Sequence, residues 1–205
     1  MGLFVKICGL ASGADTQAVA ALRPDALGFV LWPGSKRRAR AEDVASWVRD
    51  VPAGLLKVGV FVDATPDEVE RAVAVAGLDV VQLHGSEKPH DFSGRSLRLW
   101  RALGLRDAAE PIPVGWSVDA FLVDTYSAQS PGGTGRVGDW AAARSFVERS
   151  PRPVLLAGGL TPVNVKAAVT AVQPWGVDVS SGVEAQPGRK DLAKVREFIE
   201  RCREE

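Results

Sequence analysis

What most constrains this chain is a recurrence: eight short apolar runs rich in Val, Leu and Phe, with amphipathic segments between most of them. The runs are Leu3 to Cys8, Ala26 to Leu31, Leu55 to Phe61, Val80 to His84, Leu97 to Leu103, Ala120 to Asp124, Val154 to Ala157 and Trp175 to Ser180. Their ends lie roughly 20 to 30 residues apart, about the length of a minimal strand-plus-helix unit. The helical pattern is readable over Ala41 to Arg49, Pro66 to Ala76, Asp139 to Glu148, Pro162 to Ala171 and Asp191 to Arg203, with a further helix starting near Asp15. Thr65-Pro66-Asp67 and Thr161-Pro162 carry start signals with Pro at the first helical position. The segment Leu105 to Glu110 is weak and reads as a single turn. Strands that alternate with helices pair in parallel, because each return to the sheet needs a crossover. Eight such units in 205 residues match the count and lower size limit of a (β/α)8 barrel. The expected fold is therefore α/β, a (β/α)8 TIM barrel in one domain spanning residues 1–205. A doubly wound open sheet competes, but Cys8-Gly9-Leu10-Ala11-Ser12-Gly13 does not fit the G-x-G-x-x-G loop that such a sheet uses for dinucleotides.

Charge narrows the partners. Lys and Arg total 25 and Asp and Glu total 25, so the chain has no overall basic field to hold nucleic acid or anionic lipid. No run approaches the ~18 apolar residues of a membrane span, and Lys6 interrupts the N-terminal stretch where a secretory signal would be uninterrupted. Two cysteines, Cys8 and Cys202, form neither a disulfide framework nor a metal set. The expectation is a cytoplasmic protein with a small-molecule partner, no nucleic acid, no membrane and no metal. It is compatible with a monomer or a homodimer.

Alternation along each strand separates the face packed on helices from the face lining the barrel. In the first run Leu3, Val5 and Ile7 form the outer face, leaving Phe4, Lys6 and Cys8 inward. The last run puts Trp175, Val177 and Val179 outward and Gly176, Asp178 and Ser180 inward. Gln82, His84, Leu122 and Asp124 also point inward. Four strands thus end in polar or ionisable inner residues, at the rim where barrel enzymes keep their chemistry, where a purely packed core would carry Val, Ile or Leu. A buried ammonium at Lys6 needs a counter-charge. The first and last strands meet at closure, so a Lys6–Asp178 ion pair is expected. Positive charge beside Cys8 would draw its thiol pKa toward neutrality, whereas a buried free Cys is otherwise most often a small hydrophobe.

Three segments have the look of an anion site, two of them after adjacent strands. Leu156-Ala157-Gly158-Gly159-Leu160-Thr161-Pro162 follows the seventh strand and Ser180-Ser181-Gly182-Val183-Glu184 follows the eighth, the usual phosphate position of this fold. Gly158, Gly159, Ser180, Ser181 and Gly182 are the candidate phosphate-binding residues. The third segment, Gly132, Gly133, Thr134 and Gly135 after the sixth strand, forms a candidate lid loop. The basic run Lys36 to Arg40 would ordinarily be a solvated face, yet its place after the second strand makes one Arg a candidate carboxylate clamp. Asp124 could serve as a turn residue, and His84 as a hydrogen-bonded wall residue.

The ordered set Val5-Lys6-Ile7-Cys8-Gly9, Gly28-Phe29-Val30 with Ser35-Lys36-Arg37, Val58-Gly59-Val60-Phe61, Val81-Gln82-Leu83-His84-Gly85, Asp124-Thr125 with Gly132-Gly133-Thr134-Gly135, Ala157-Gly158-Gly159-Leu160, and Val177-Asp178-Val179-Ser180-Ser181-Gly182-Val183-Glu184 with Pro187-Gly188 resembles the phosphoribosylanthranilate isomerases of tryptophan biosynthesis. The likeness covers almost the whole chain. It implies a cofactor-independent Amadori rearrangement of N-(5-phosphoribosyl)anthranilate to 1-(2-carboxyphenylamino)-1-deoxyribulose 5-phosphate. By that resemblance Cys8 is the general base at the sugar C2 and Asp124 the general acid at the ring oxygen. Arg37, or its neighbour Arg38, holds the anthranilate carboxylate; Gln82, His84 and Asp178, inward by strand alternation, are the further candidate substrate-binding residues. An acid and a base working together need different protonation states at one pH, so Asp124 is expected in partly apolar surroundings that keep its proton. Two alternatives stand beside this reading. The histidine-pathway isomerase, which runs the same type of rearrangement, resembles a barrel with a carboxylate as its first-strand base; a phosphosugar-binding barrel without chemistry is the other.

Overall fold

The computed structural model of the protein describes residues 2–105, 107–124 and 139–204. Eight strands form a closed parallel barrel in sequence order: β1 (Phe4–Ile7), β2 (Ala26–Val30), β3 (Leu56–Phe61), β4 (Val80–Leu83), β5 (Leu99–Gly104), β6 (Ala120–Asp124), β7 (Val154–Ala157) and β8 (Gly176–Val179). Six α-helices among the described residues accompany them: α1 (Gly13–Ala21), α2 (Ala41–Trp47), α3 (Pro66–Ala76), α4 (Trp140–Arg149), α5 (Val165–Val172) and α6 (Leu192–Arg203). After β4 the crossover is a 3-10 turn at Pro89–Phe92 in place of a helix. Asp107 to Ala109 form only a turn, as the weak apolar pattern there predicts.

Local sequence explains most boundaries. Thr65 caps α3 in a reciprocal box with Glu68, Pro66 occupies the first turn, and Gly77 ends the helix in the left-handed region at φ 61°, each a favoured device at its position. Helix α5 begins later than Pro162 suggests, because Asn164 accepts from the Thr161 N–H at 2.8 Å and so holds residues 161–164 in a turn. The extreme C-terminal helix is preceded by a small antiparallel hairpin, β9 (Glu184–Gln186) and β10 (Arg189–Lys190), which the strand count does not anticipate. Its signal is the Pro187-Gly188 turn between two short polar flanks.

The packing forms two apolar layers. The outer one, between barrel and helices, contains Val5, Ile7, Leu27, Phe29, Leu83, Val123, Leu156, Val177 and Val179 with Phe146 and Phe198 from the helices. The inner one fills the barrel with Ala26, Val58, Val80, Trp100, Leu122 and Leu155, joined by Phe4 and Leu56. Strand parity is thereby borne out, with one correction. Trp175, expected outward, lies one residue before β8 and escapes the alternation; its ring stacks on Phe4 at 4.4 Å and meets Trp100 edge-on at 6.4 Å. These aromatics pack together at the N-terminal end of the barrel.

Candidate active site

Lys6 and Asp178 are direct register partners across the β1–β8 seam, so their side chains share the inner face. The Lys6 Nζ meets the Asp178 carboxylate at 2.7 Å, with the lysine side chain fully buried. Burial alone would lower the Lys6 pKa, but Asp178 and then Cys8 outweigh it and raise it above the ordinary amine value. The lysine thus remains an ammonium beneath the cavity floor, as the expected ion pair requires.

Cys8 follows β1 directly and keeps its inward position, 7% exposed. Gly28 on the neighbouring β2 makes the space: a Cβ there would lie 2.7 Å from the Cys8 sulfur, so any side chain would push the thiol away. Burial pushes the thiol pKa up, and this exceeds the downward pull of Lys6 and Lys190. The structure corrects the expected direction. The lysines are present as anticipated, yet the dry setting favours the neutral thiol more strongly than they favour the thiolate.

Above the floor, the C-terminal ends of the strands open into a cavity of about 520 Å3, and Cys8, Asp124 and Asp178 all line it. Asp124 closes β6, partly buried. Gln82 and His84, from β4 and just beyond it, form the adjoining wall, with Gln82 Nε2 3.4 Å from His84 Nδ1. The Gln82 Oε1 is buried and has no partner among the described residues, which leaves an acceptor for a donor on a ligand. His84 lines the cavity with much of its surface exposed. Desolvation lowers its pKa, against the opposing pull of Asp124 and Asp178, which favours the neutral imidazole.

Gly158, Gly159, Ser180, Ser181 and Gly182 also line the cavity. Gly158 and Gly159 both have positive φ, 90° and 65°, a conformation that brings backbone N–H groups to a concave surface without steric penalty. Ser181 opens a 3-10 turn over Ser181–Val183. Cys8, Gln82, His84, Leu122, Asp124, Asp178 and Ser180, all singled out as inward from sequence, therefore reach one cavity, whereas Phe4, Lys6 and Gly176 do not line it. The lid candidates Gly132, Gly133, Thr134 and Gly135 lie outside the described residues.

Arg37 lines the cavity, whereas Arg38 is exposed and is not among the lining residues. The guanidinium is not a free fork, however. Its Nε and Nη2 donate to Glu184 Oε1 and Oε2, each at 2.7 Å. Glu184 in turn accepts from the buried Lys190 Nζ at 3.1 Å. Sequence reasoning placed Glu184 only within a motif and missed Lys190 altogether. Trp32, 42% exposed at the mouth of the cavity, was also missed; an aromatic beside Pro33-Gly34 in a loop was its one signal. Among the described residues no cluster of three or more His, Cys, Asp or Glu is arranged to hold a metal, and no helix is long and apolar enough to cross a membrane.

A closed barrel with its ionisable groups and glycine-rich loops gathered at the C-terminal rim belongs to the (β/α)8-barrel enzymes that handle phosphorylated small molecules. Residues 5–201 match the family described as N-(5'phosphoribosyl)anthranilate (PRA) isomerase, and the chain belongs to that family. It is 42% identical over 200 residues to the N-(5'-phosphoribosyl)anthranilate isomerase of Magnetococcus marinus, covering 97% of this chain and 94% of that one. Among solved structures it is similar to phosphoribosyl anthranilate isomerase from Thermotoga maritima, with a TM-score of 0.87, 32% identity and 98% of each chain covered. A second similar structure is a phosphoribosyl anthranilate isomerase in complex with reduced 1-(o-carboxyphenylamino)-1-deoxyribulose 5-phosphate, with a TM-score of 0.83, 31% identity and 98% of each chain covered.

Proposed function

We propose that this chain is a cytoplasmic, cofactor-independent isomerase of tryptophan biosynthesis that converts N-(5-phosphoribosyl)anthranilate to 1-(2-carboxyphenylamino)-1-deoxyribulose 5-phosphate. The observation that carries the reading is the thiol of Cys8 and the carboxyl of Asp124 facing one cavity from β1 and β6, with the β7 and β8 loops lining the same space. A substrate with a phosphate at one end and an aromatic carboxylate at the other spans such a cavity. The backbone N–H groups around Gly158, Gly159, Ser181 and Gly182, with Ser180 beside them, suit the phosphate. Arg37 suits the carboxylate.

In this reading Asp124 donates a proton to the ribose ring oxygen as the C1–O bond breaks. The anilino nitrogen lone pair forms the C1=N bond, giving an open-chain iminium. Cys8 then takes the C2 proton, the C2–H electron pair becomes the C1=C2 bond, and the iminium electrons return to nitrogen. Protonation at C1 and loss of the enol proton give the ketone. Lys6, paired with Asp178, stabilises the thiolate while it exists, and the orphaned Gln82 acceptor and His84 engage sugar hydroxyls. The base must work as a thiolate and the acid as a carboxyl group, so the reactive form carries its one mobile proton on the oxygen side.

The test is a turnover assay that follows the loss of phosphoribosylanthranilate fluorescence in wild type, Cys8→Ala and Asp124→Asn. We expect turnover by the wild type and a loss of about 100-fold or more in kcat in each variant, the usual scale for general acid or base removal. Absence of wild-type turnover would reject the reaction, and a fully active variant would reject the role given to its residue.

A further inference from the structure

Arg37, Glu184 and Lys190 form a cluster whose charge does not cancel. Glu184 is held by two cations, bidentately by Arg37 at 2.7 Å and by Lys190 at 3.1 Å. The side chains of Lys190 and Glu184 are 0% and 4% exposed, while Arg37 remains 26% exposed and lines the cavity. Lys190 sits on the two-residue strand β10, where its N–H donates to Asp15 of α1 at 2.8 Å and its Nζ also donates to the Ser180 carbonyl at 3.1 Å. Lys194 of α6 donates to the Glu184 carbonyl at 3.1 Å. The hairpin is thus fastened at several points around one buried ammonium.

An arginine already bonded bidentately to a carboxylate is half of a neutral pair. A second carboxylate approaching it would be repelled by Glu184 over nearly the same distance as it is attracted by Arg37. One further buried cation on Glu184 turns the neutral pair into a cluster of two cations and one anion. An ammonium buried on so short a strand carries a desolvation penalty that an apolar residue would avoid, so packing gives little reason for it. Burial does pull the Lys190 pKa down, and Glu184 opposes that shift.

We infer that Lys190 is a positioning residue: acting through Glu184, it orients Arg37 and leaves the cluster with a surplus positive charge toward the cavity, so that Arg37 can receive the carboxylate end of an anthranilate-type substrate. The guanidinium's Nη1 group and second Nη2 hydrogen, uncommitted among the described residues, supply the donors. The inference rests on the function proposed above and identifies how that site tells a carboxylate from the phosphate at its other end.

The experiment measures kcat and KM for wild type, Lys190→Met, Lys190→Arg, Arg37→Ala and the Lys190→Met/Arg37→Ala double variant. Binding of anthranilate and of inorganic phosphate is titrated separately, and folding is checked by circular dichroism. We expect Lys190→Met to raise KM about tenfold or more, with kcat within about threefold, as for an interaction shared by ground and transition states. Lys190→Arg should recover most of the affinity, and Lys190→Met should add nothing to Arg37→Ala, because a residue that acts through another is silent once that other is gone. Anthranilate should bind more weakly to Lys190→Met with phosphate affinity unchanged. An unaltered KM, additive effects with Arg37→Ala, or an equal loss of phosphate affinity would each overturn the inference. If Lys190→Met fails to fold, Lys190→Gln, alone and combined with Arg37→Ala, carries the same comparison, since it too removes the charge. Failure of the proposed reaction appears separately, as a wild type without turnover, and the anthranilate titrations still decide the role of Lys190.

Discussion

At the scale of single residues, Cys8 shows how burial and charge compete. Two lysines act to ionise the thiol, but its removal from water acts more strongly, and the folded protein keeps it protonated at neutral pH. The thiolate fraction, and with it kcat/KM and the rate of alkylation at Cys8, should therefore rise as pH increases from 7 through 9. Iodoacetamide labelling followed by peptide mass measurement checks this, because Cys202 is buried in α6 and pushed up to about 12 and so reacts later. A Cys8 alkylation rate that is flat across that range would show a thiolate already formed at pH 7. Trp32 and Gln82 belong to this scale as well: one offers an exposed ring and the other an orphaned acceptor, and both depend on what enters the cavity.

Elements carry the site into place through their ends. The capping box of α3 shows the local part of this, with Thr65 Oγ1 bonded to Glu68 Oε2 at 2.7 Å and the Thr65 N–H to the same oxygen at 2.8 Å. Thr65→Ala should lower stability by about 1 kcal/mol in urea unfolding while leaving turnover unchanged, since this cap lies outside the cavity. The β9–β10 hairpin is the contrasting case. Its strands are too short to bury an apolar face; Asp15 and Lys194 hold its backbone at Lys190 and Glu184, and the Glu184 carboxylate joins Lys190 to Arg37, far away in sequence. Local propensity writes the first element almost completely and the second hardly at all.

The whole molecule depends on the seam where β1 meets β8. There the Lys6–Asp178 pair is both a closure contact and the base of the cavity. Asp178→Ala should leave a buried ammonium without a partner and lower stability by about 3 to 5 kcal/mol, whereas replacing both residues in Lys6→Met/Asp178→Leu should restore much of it. Thermal unfolding measures the two cases. The double variant should nonetheless be inactive in the turnover assay, because the ammonium that stabilises the Cys8 thiolate is gone. Restored stability with restored activity would show that the pair serves only closure.

The sequence by itself determined the eight barrel strands, their parallel order, the rim that holds the ionisable groups and most of the polar residues that line the cavity. These follow from periodicity: alternation of two along a strand fixes the face, and repetition of a strand-helix unit fixes the topology. Trp175 marks where periodicity stops, one residue outside its strand. The tertiary structure alone decided the upward push that burial gives the Cys8 thiol, the place of Arg37 and not Arg38 in the cavity wall, and the chain of bonds from Arg37 through Glu184 to Lys190. Ionisation depends on the dielectric and charge around a group, and the Arg37–Glu184 bond joins positions 147 residues apart. Neither distance nor solvation is written in the local pattern of a chain; both come into being when the barrel closes.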